Sequence, residues 1–366
     1  MGLGVGVALL LALLALLLRF GTAALLSLSL AFPATEGWLA AASHEPARTE
    51  ITVASGRRLI AADVYQPPRP RSALVIVHGL SRAGRRHPEV VRLARLLGER
   101  GQLVVVPEVA GLARFALAGS EVDDIAAVLR HVAARRHPVG IAGFSFGAGP
   151  ALLAAAEVGD VRVAGSFGGY ADLLNVVAFV TTGVHTFHGQ RYHQRQEEYN
   201  RWKLLALLSG VVASEPDRQT LEAIAARRLA DPGDDTGALE TRLDAPGRAV
   251  LRLALNREEA SVASLVAALS PETRAMLARL SPLPTVPRLR GRLLIGHGEA
   301  DDSIPFTESL RLAEAANGRA RLAILHTFHH TGPQGVWSSL ALRVADGWNL
   351  MRLVDDLLDP AVERRY

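Results

Sequence analysis

Two patterns of apolar positions divide the chain. From Gly2 to Leu18 every residue is apolar or glycine, and after Arg19 a second apolar stretch runs from Phe20 to Phe32. A helix over the first stretch alone would span about 25 Å. The two stretches together exceed a hydrocarbon core of about 30 Å, with Arg19 able to snorkel to one interface. The expectation is an uncleaved, single-pass membrane anchor within residues 1–42. A cleaved signal segment competes with it, because Ser29-Leu30-Ala31 offers a small-x-small site. Against cleavage, no basic residue precedes the apolar run, and the run is longer than such a segment usually carries. Arg19, Arg48, Arg57 and Arg58 all come after the first stretch, so the positive-inside rule puts the remainder of the chain on the cytoplasmic side.

Beyond a linker at Ser43 to Arg48 the pattern changes. Glu50 to Tyr65 holds two β-rich runs around Ser55-Gly56, a hairpin signal, and Pro67, Pro68 and Pro70 end it. Short β-branched runs then alternate with amphipathic helical stretches. Strands are expected at Ala73–Val77, Leu103–Val106, Val139–Ala142 and Val161–Ser166, and helices at Glu89–Glu99, Glu121–Ala134 and Ala148–Glu157. Such alternation predicts an α/β fold with a mostly parallel sheet covered on both faces. After Tyr170 the strand rhythm stops, and residues 171–286 read as helices between breakers such as Asp231-Pro232-Gly233-Asp234, too long for a loop. The rhythm returns with strands at Arg292–Ile295 and Arg321–Leu325 and helices at Thr307–Ala316 and Val336–Leu358. The expected organisation is therefore an anchor (1–42), a core in two pieces (43–170 and 287–366) and a helical insertion (171–286) between them.

Composition narrows the chemistry. Basic residues number 40 against 36 acidic ones with the signs interspersed, so the formal charge of +4 does not form a tract that could follow a phosphate backbone. No nucleic-acid partner is expected. Lys203 is the only lysine. The absence of cysteine excludes disulfides, thiolate metal sites and a cysteine nucleophile.

Four clusters carry reactive side chains, each at the end of an expected strand. Gly143-Phe144-Ser145-Phe146-Gly147 lies between a strand and an Ala/Leu-rich helix, the setting in which a strained turn can present a serine nucleophile at a helix N-terminus. His78-Gly79-Leu80 comes directly after the first parallel strand. A developing oxyanion needs two fixed N–H donors, assigned here to the backbones of Leu80 and Phe146, with His78 supporting the loop rather than titrating. Glu299, Asp301 and Asp302 compete for the acid that orients a base. His329 and His330, after the last strand, supply the base. The order Ser, Asp, His along the chain suits a nucleophile on a strand-to-helix turn.

These residues resemble the α/β-hydrolase superfamily, and within it the bacterial dienelactone-hydrolase-like proteins and esterase-type serine hydrolases. The resemblance covers about Val53–Asp172 and Arg292 to the C-terminus, and rests on V-I-V-H-G-L at Val75–Leu80, V-V-P-E-V at Val105–Val109, G-F-S-F-G, and H-G-x-x-D-x-x-I-P at His297–Pro305. It implies Asp301 as the acid and, through F-x-H-x-x-P over Phe328, His330 and Pro333, His330 as the base. Cysteine-nucleophile members of the dienelactone group differ at the elbow. The insertion takes the place of a cap domain.

The resulting expectation is a serine hydrolase that cleaves a carboxylic ester, small or lipid-like, through an acyl-enzyme on Ser145, with neither metal nor organic cofactor, anchored in a bacterial inner membrane. Amides and thioesters are secondary substrates. An acyltransferase or a non-catalytic membrane-bound scaffold on the same fold are the alternatives. His185, His188 and His193 lie close together in the insertion but lack a clear ligand spacing, so they are read as polar cap residues, and Tyr199 and Trp202 as cap core.

Overall fold

The computed structural model describes residues 20–32, 34, 36, 44–135, 137–326, 328–329, 332–333 and 340–358. Among them, eight strands form one sheet. A hairpin of β1 (Ala47–Ser55) and β2 (Arg58–Gln66) turns at Gly56, whose φ of +57° suits glycine, and lies antiparallel at one edge. The others, β3 (Ser72–Val77), β4 (Gln102–Pro107), β5 (Val139–Phe144), β6 (Val163–Phe167), β9 (Arg292–Gly298) and β10 (Ala320–Leu325), are mutually parallel. Their order is β1-β2-β4-β3-β5-β6-β9-β10.

Period-two alternation sends each strand's side chains to two different cores. Val75, Val77, Leu103 and Val105 pack beneath α3 (Ser120–Ala133) and α4 (Ala148–Val158), in a cluster that continues into the insertion. Their neighbours Leu74, Ile76, Val104 and Val106 face α2 (Pro88–Glu99) and α11 (Leu340–Leu358) on the opposite side. Burial on both faces explains why β3 reads as an unbroken apolar run.

The segment expected as an anchor divides. Residues 1–19 lie outside the described residues. Residues 20–31 form a helix, α1, whose Ala23 and Leu26 are buried in the same cluster as Leu353, Val354 and Leu357 of α11. Arg92 of α2 donates to the Ser29 carbonyl, and Glu36 accepts from both Arg92 and Arg95. The core thus begins to form well before residue 43. Among the described residues, no helix is long and apolar enough to cross a membrane.

Residues 171–286 are helical, with α5 (Leu173–Thr182), α6 (Glu198–Ser209), α7 (Glu215–Ala230), α8 (Ala245–Leu255) and α9 (Pro271–Arg279) as the longer elements. The expectation of helices alone needs correction: β7 (Val184–Phe187) and β8 (Gln190–His193) form a hairpin between α5 and α6. Its turn places His188 (φ 47°) and Gly189 (φ 78°) in the left-handed region. Tyr199, expected in the cap core, is exposed, whereas Trp202 is buried beneath the Arg228 guanidinium. After β9, α10 (Thr307–Ala315) returns the chain to the sheet.

Candidate active site

β5 ends at Phe144 and passes straight through the turn Ser145–Gly147 into α4. Ser145 has φ of +51°, a conformation that a side chain with a Cβ adopts only under constraint, and here the tight strand-to-helix reversal imposes it. Three glycines make the reversal possible by letting backbone approach backbone. A Cβ on Gly143 would lie 2.5 Å from the Ala148 Cα, one on Gly147 would lie 2.1 Å from the His78 carbonyl oxygen, and one on Gly79 would lie 3.0 Å from the Ser145 Cβ. The loop after β3 is therefore pressed directly against the serine turn. Both expected oxyanion donors sit on these two segments: Leu80, half-buried, and Phe146, buried against Tyr170 with ring centroids 5.8 Å apart.

His78 is fully buried and its hydrogen bonds fix its tautomer. Nε2 accepts from the Val109 N–H at 3.2 Å, so Nδ1 carries the proton and donates to the Gly79 carbonyl at 2.8 Å. Burial pushes its pKa below the usual imidazole value, which keeps it neutral. It acts as a strut that ties the Gly79-Leu80 loop to the end of β4.

Of the three carboxylates that compete in sequence, Asp301 alone is buried, at 1% exposure. Its Oδ1 accepts from the backbone N–H groups of Ser303 (2.8 Å) and Ile304 (3.0 Å). Glu299 instead pairs at the surface with His326 (2.7 Å), an interaction that raises the His326 pKa. Asp302 offers its backbone carbonyl to Asn200 of α6 at 3.0 Å. The sheet register relates Asp301 to the serine. Phe144 is level with Phe167, Phe167 with Gly296, and Gly298 with Leu325. The acid loop thus emerges two strands, or about 10 Å, from the serine turn, and the chain after β10 emerges one strand further on. His330 lies outside the described residues. Its neighbours Phe328–His329 and Gly332–Pro333 pair as two short antiparallel strands, with His329 opposite Gly332.

Sequence reasoning overlooked three residues. His297, fully buried, sits 3.4 Å from Asp301 Oδ2; its Nε2 meets the Ile304 carbonyl at 2.9 Å, so Nδ1 accepts from Ser309 Oγ at 2.6 Å. It braces the acid loop from beneath, and its place at the head of H-G-x-x-D was the available signal. Glu308, also fully buried, accepts from the N–H groups of Ala171 and Asp172 on one oxygen and from Asn175 and Arg311 on the other, which clamps the start of the insertion to α10. Lys203 lies one helical turn after Asn200, on the same face of α6, where burial lowers its pKa and the charges of Asp302 and Asp301 oppose the shift.

Three cap histidines close together in sequence do not converge. His185 Nδ1 meets Thr307 Oγ1 at 3.0 Å among the rings of Phe179, Tyr192 and Phe306, and burial there depresses its pKa to about 4. His188 instead reaches Glu314, and His193 stands opposite Val184. Among the described residues, no group of three or more His, Asp or Glu could hold a metal.

No family model and no curated protein matches the chain. Solved structures do. The chain is similar to the Pyrococcus horikoshii acylaminoacyl peptidase (TM-score 0.52, 13% identity, 90% of this chain and 44% of that one). A similar match is to an acylaminoacyl peptidase in complex with Z-Gly-Gly-Phe-chloromethyl ketone (TM-score 0.50, 14% identity, 90% and 43%). The chain spans less than half the length of either peptidase. Est1E from Butyrivibrio proteoclasticus matches at TM-score 0.47 and 12% identity, over 86% of this chain and 99% of that one.

Proposed function

We propose that this chain, whose fold is that of the α/β-hydrolases, is a serine hydrolase in which Ser145 is the nucleophile, Asp301 the acid and His330 the base. The observation that carries the reading is the strained φ of +51° at Ser145, held at the strand-to-helix turn with the Gly79 backbone packed against it. Strain of this kind is unfavourable by about 1–3 kcal/mol and persists only where the surroundings impose it.

In the proposed reaction Ser145 Oγ attacks a carbonyl carbon as its proton passes to His330. The carbonyl oxygen gains negative charge beside the N–H groups of Leu80 and Phe146, and the start of α4 adds its positive end. Collapse of the tetrahedral intermediate expels the alcohol, which takes the proton from His330. Water, deprotonated by the same base, then releases the acid. Asp301, held by two backbone donors, orients the imidazole. A carboxylic ester is the proposed substrate. The run Gly2–Leu18 is the proposed tether to a bacterial inner membrane.

A fluorophosphonate probe tests the reading. It should label the wild-type chain at Ser145, and competition by esters of graded acyl length should identify the preferred substrate. Ser145→Ala should abolish labelling and, like His330→Ala, lower kcat by about 10⁴- to 10⁶-fold, while His329→Ala should cost about 10- to 100-fold. A folded wild-type protein that resists the probe and turns over no ester would remove the hydrolase reading. Inactivation by His329→Ala with His330→Ala nearly unaffected would exchange the base and leave that reading in place.

A further inference from the structure

α1 buries Ala23 and Leu26 but is apolar on its outer side as well. Its Ser27 and Ser29 face the protein, Ser29 wholly buried and Ser27 Oγ without a hydrogen-bond partner, whereas Leu25 and Leu28 face outward, as does Phe32 just beyond it. Ser29 satisfies its hydroxyl by bonding back to the Leu25 carbonyl at 3.0 Å. A surface helix in water normally keeps its outer side polar. The neighbouring start of α11 behaves alike, exposing Leu342, Val344 and Trp348. The two elements touch, with the rings of Phe20 and Trp348 6.1 Å apart, and both contribute to one buried cluster. Of the nine large hydrophobic side chains exposed among the described residues, these helices and Phe32 hold six. A concentration of exposed apolar side chains of this kind marks an interaction surface.

We propose that this two-helix face lies in the interfacial layer of a lipid bilayer, so that the catalytic domain rests on the membrane through its own surface. Two observations select lipid as the occupant. In the sequence the apolar run Gly2–Leu18 joins α1, one of the two helices that carry the face, through Arg19 alone. In addition, Val344, Trp348 and Arg352 recur at four-residue spacing on the exposed side of α11, an aliphatic, an indole and a guanidinium in line. Trp favours the headgroup boundary, and an arginine beside it reaches lipid phosphate. The inference rests on the proposed membrane localisation and is independent of the chemistry at Ser145.

The absence of cysteine in the chain permits a direct test. Full-length protein carrying Leu28→Cys, Val344→Cys or Trp348→Cys is labelled with a nitroxide and reconstituted into phosphatidylcholine/phosphatidylglycerol vesicles. Leu59→Cys, on the distant β1–β2 hairpin, is the control. Collision with oxygen, which concentrates in lipid, should exceed collision with a water-soluble nickel chelate severalfold more at positions 28, 344 and 348 than at 59. Equal, nickel-dominated values at all four positions in vesicle-bound protein would overturn the proposal while leaving the tether intact. Failure to enter vesicles would remove both. Low accessibility to both reagents at 28, 344 and 348 would mean that protein covers the face, and would likewise overturn it.

Discussion

Replacing Glu308 by glutamine keeps its size and removes an acceptor. In the wild type one carboxylate oxygen receives the Ala171 and Asp172 N–H groups at 3.0 and 2.7 Å, and the other receives Asn175 and Arg311 at 3.0 and 3.1 Å. However the amide of Glu308→Gln is turned, its NH₂ faces two of these donors. Each buried donor left without an acceptor costs about 1–3 kcal/mol. Burial pushes the Glu308 carboxyl above its ordinary pKa, so the neutral amide recovers part of the desolvation cost. The net destabilisation should be about 2–4 kcal/mol. It should appear as a lower urea midpoint with an unchanged slope, and as faster hydrogen exchange at the amides of Ala171 and Asp172, where the insertion leaves the core. Fluorophosphonate labelling of folded Glu308→Gln should persist, because the clamp does not touch Ser145. A midpoint shift worth less than about 0.5 kcal/mol, with both amides still protected, would refute the account of Glu308 as the clamp between cap and α10.

Gly147→Ala should lower kcat by about 10²- to 10³-fold with a native-like melting curve, because the new Cβ would meet the His78 carbonyl and displace the Leu80 donor; near-normal ester turnover would contradict that geometry. His185 has a folded-state pKa of about 4, below its ordinary 6.5, so the stability it contributes is present above pH ~6.5 and is lost as pH falls toward ~4. The loss should be on the order of 1–3 kcal/mol and absent from His185→Phe, and identical acid dependence of melting in the two proteins would exclude it. A chain shortened to begin at residue 44 should be less stable than the full chain by several kcal/mol, since truncating a single buried leucine such as Leu26 already costs about 2–5 kcal/mol. Equal urea midpoints for the two chains would show that α1 contributes nothing to the core.

The sequence by itself determined whatever short-range rules govern. Short β-branched apolar runs located the strands. The change to helical spacing located α2, α3 and α4, and the alternation of the two implied a parallel sheet. Gly143-Phe144-Ser145-Phe146-Gly147 was legible because its strain and its glycines are properties of one five-residue turn. Tertiary structure decided the rest, because the deciding partners are distant in the chain. The H-G-x-x-D resemblance already pointed to Asp301, but its burial beside His297 shows only in the fold, and Glu308 becomes a clamp only when the backbone at residues 171–172 is brought to it. The β7–β8 hairpin escaped notice because His185 and Tyr192 stack across it and Gly189 turns it, without a run of β-branched residues to announce it. α1 is the clearest case. Its apolar composition reads as a membrane segment from end to end, yet Ala23 and Leu26 pack on the core while Leu25 and Leu28 turn outward. Hydropathy records how apolar a residue is; which neighbour covers it is fixed only when the chain has folded.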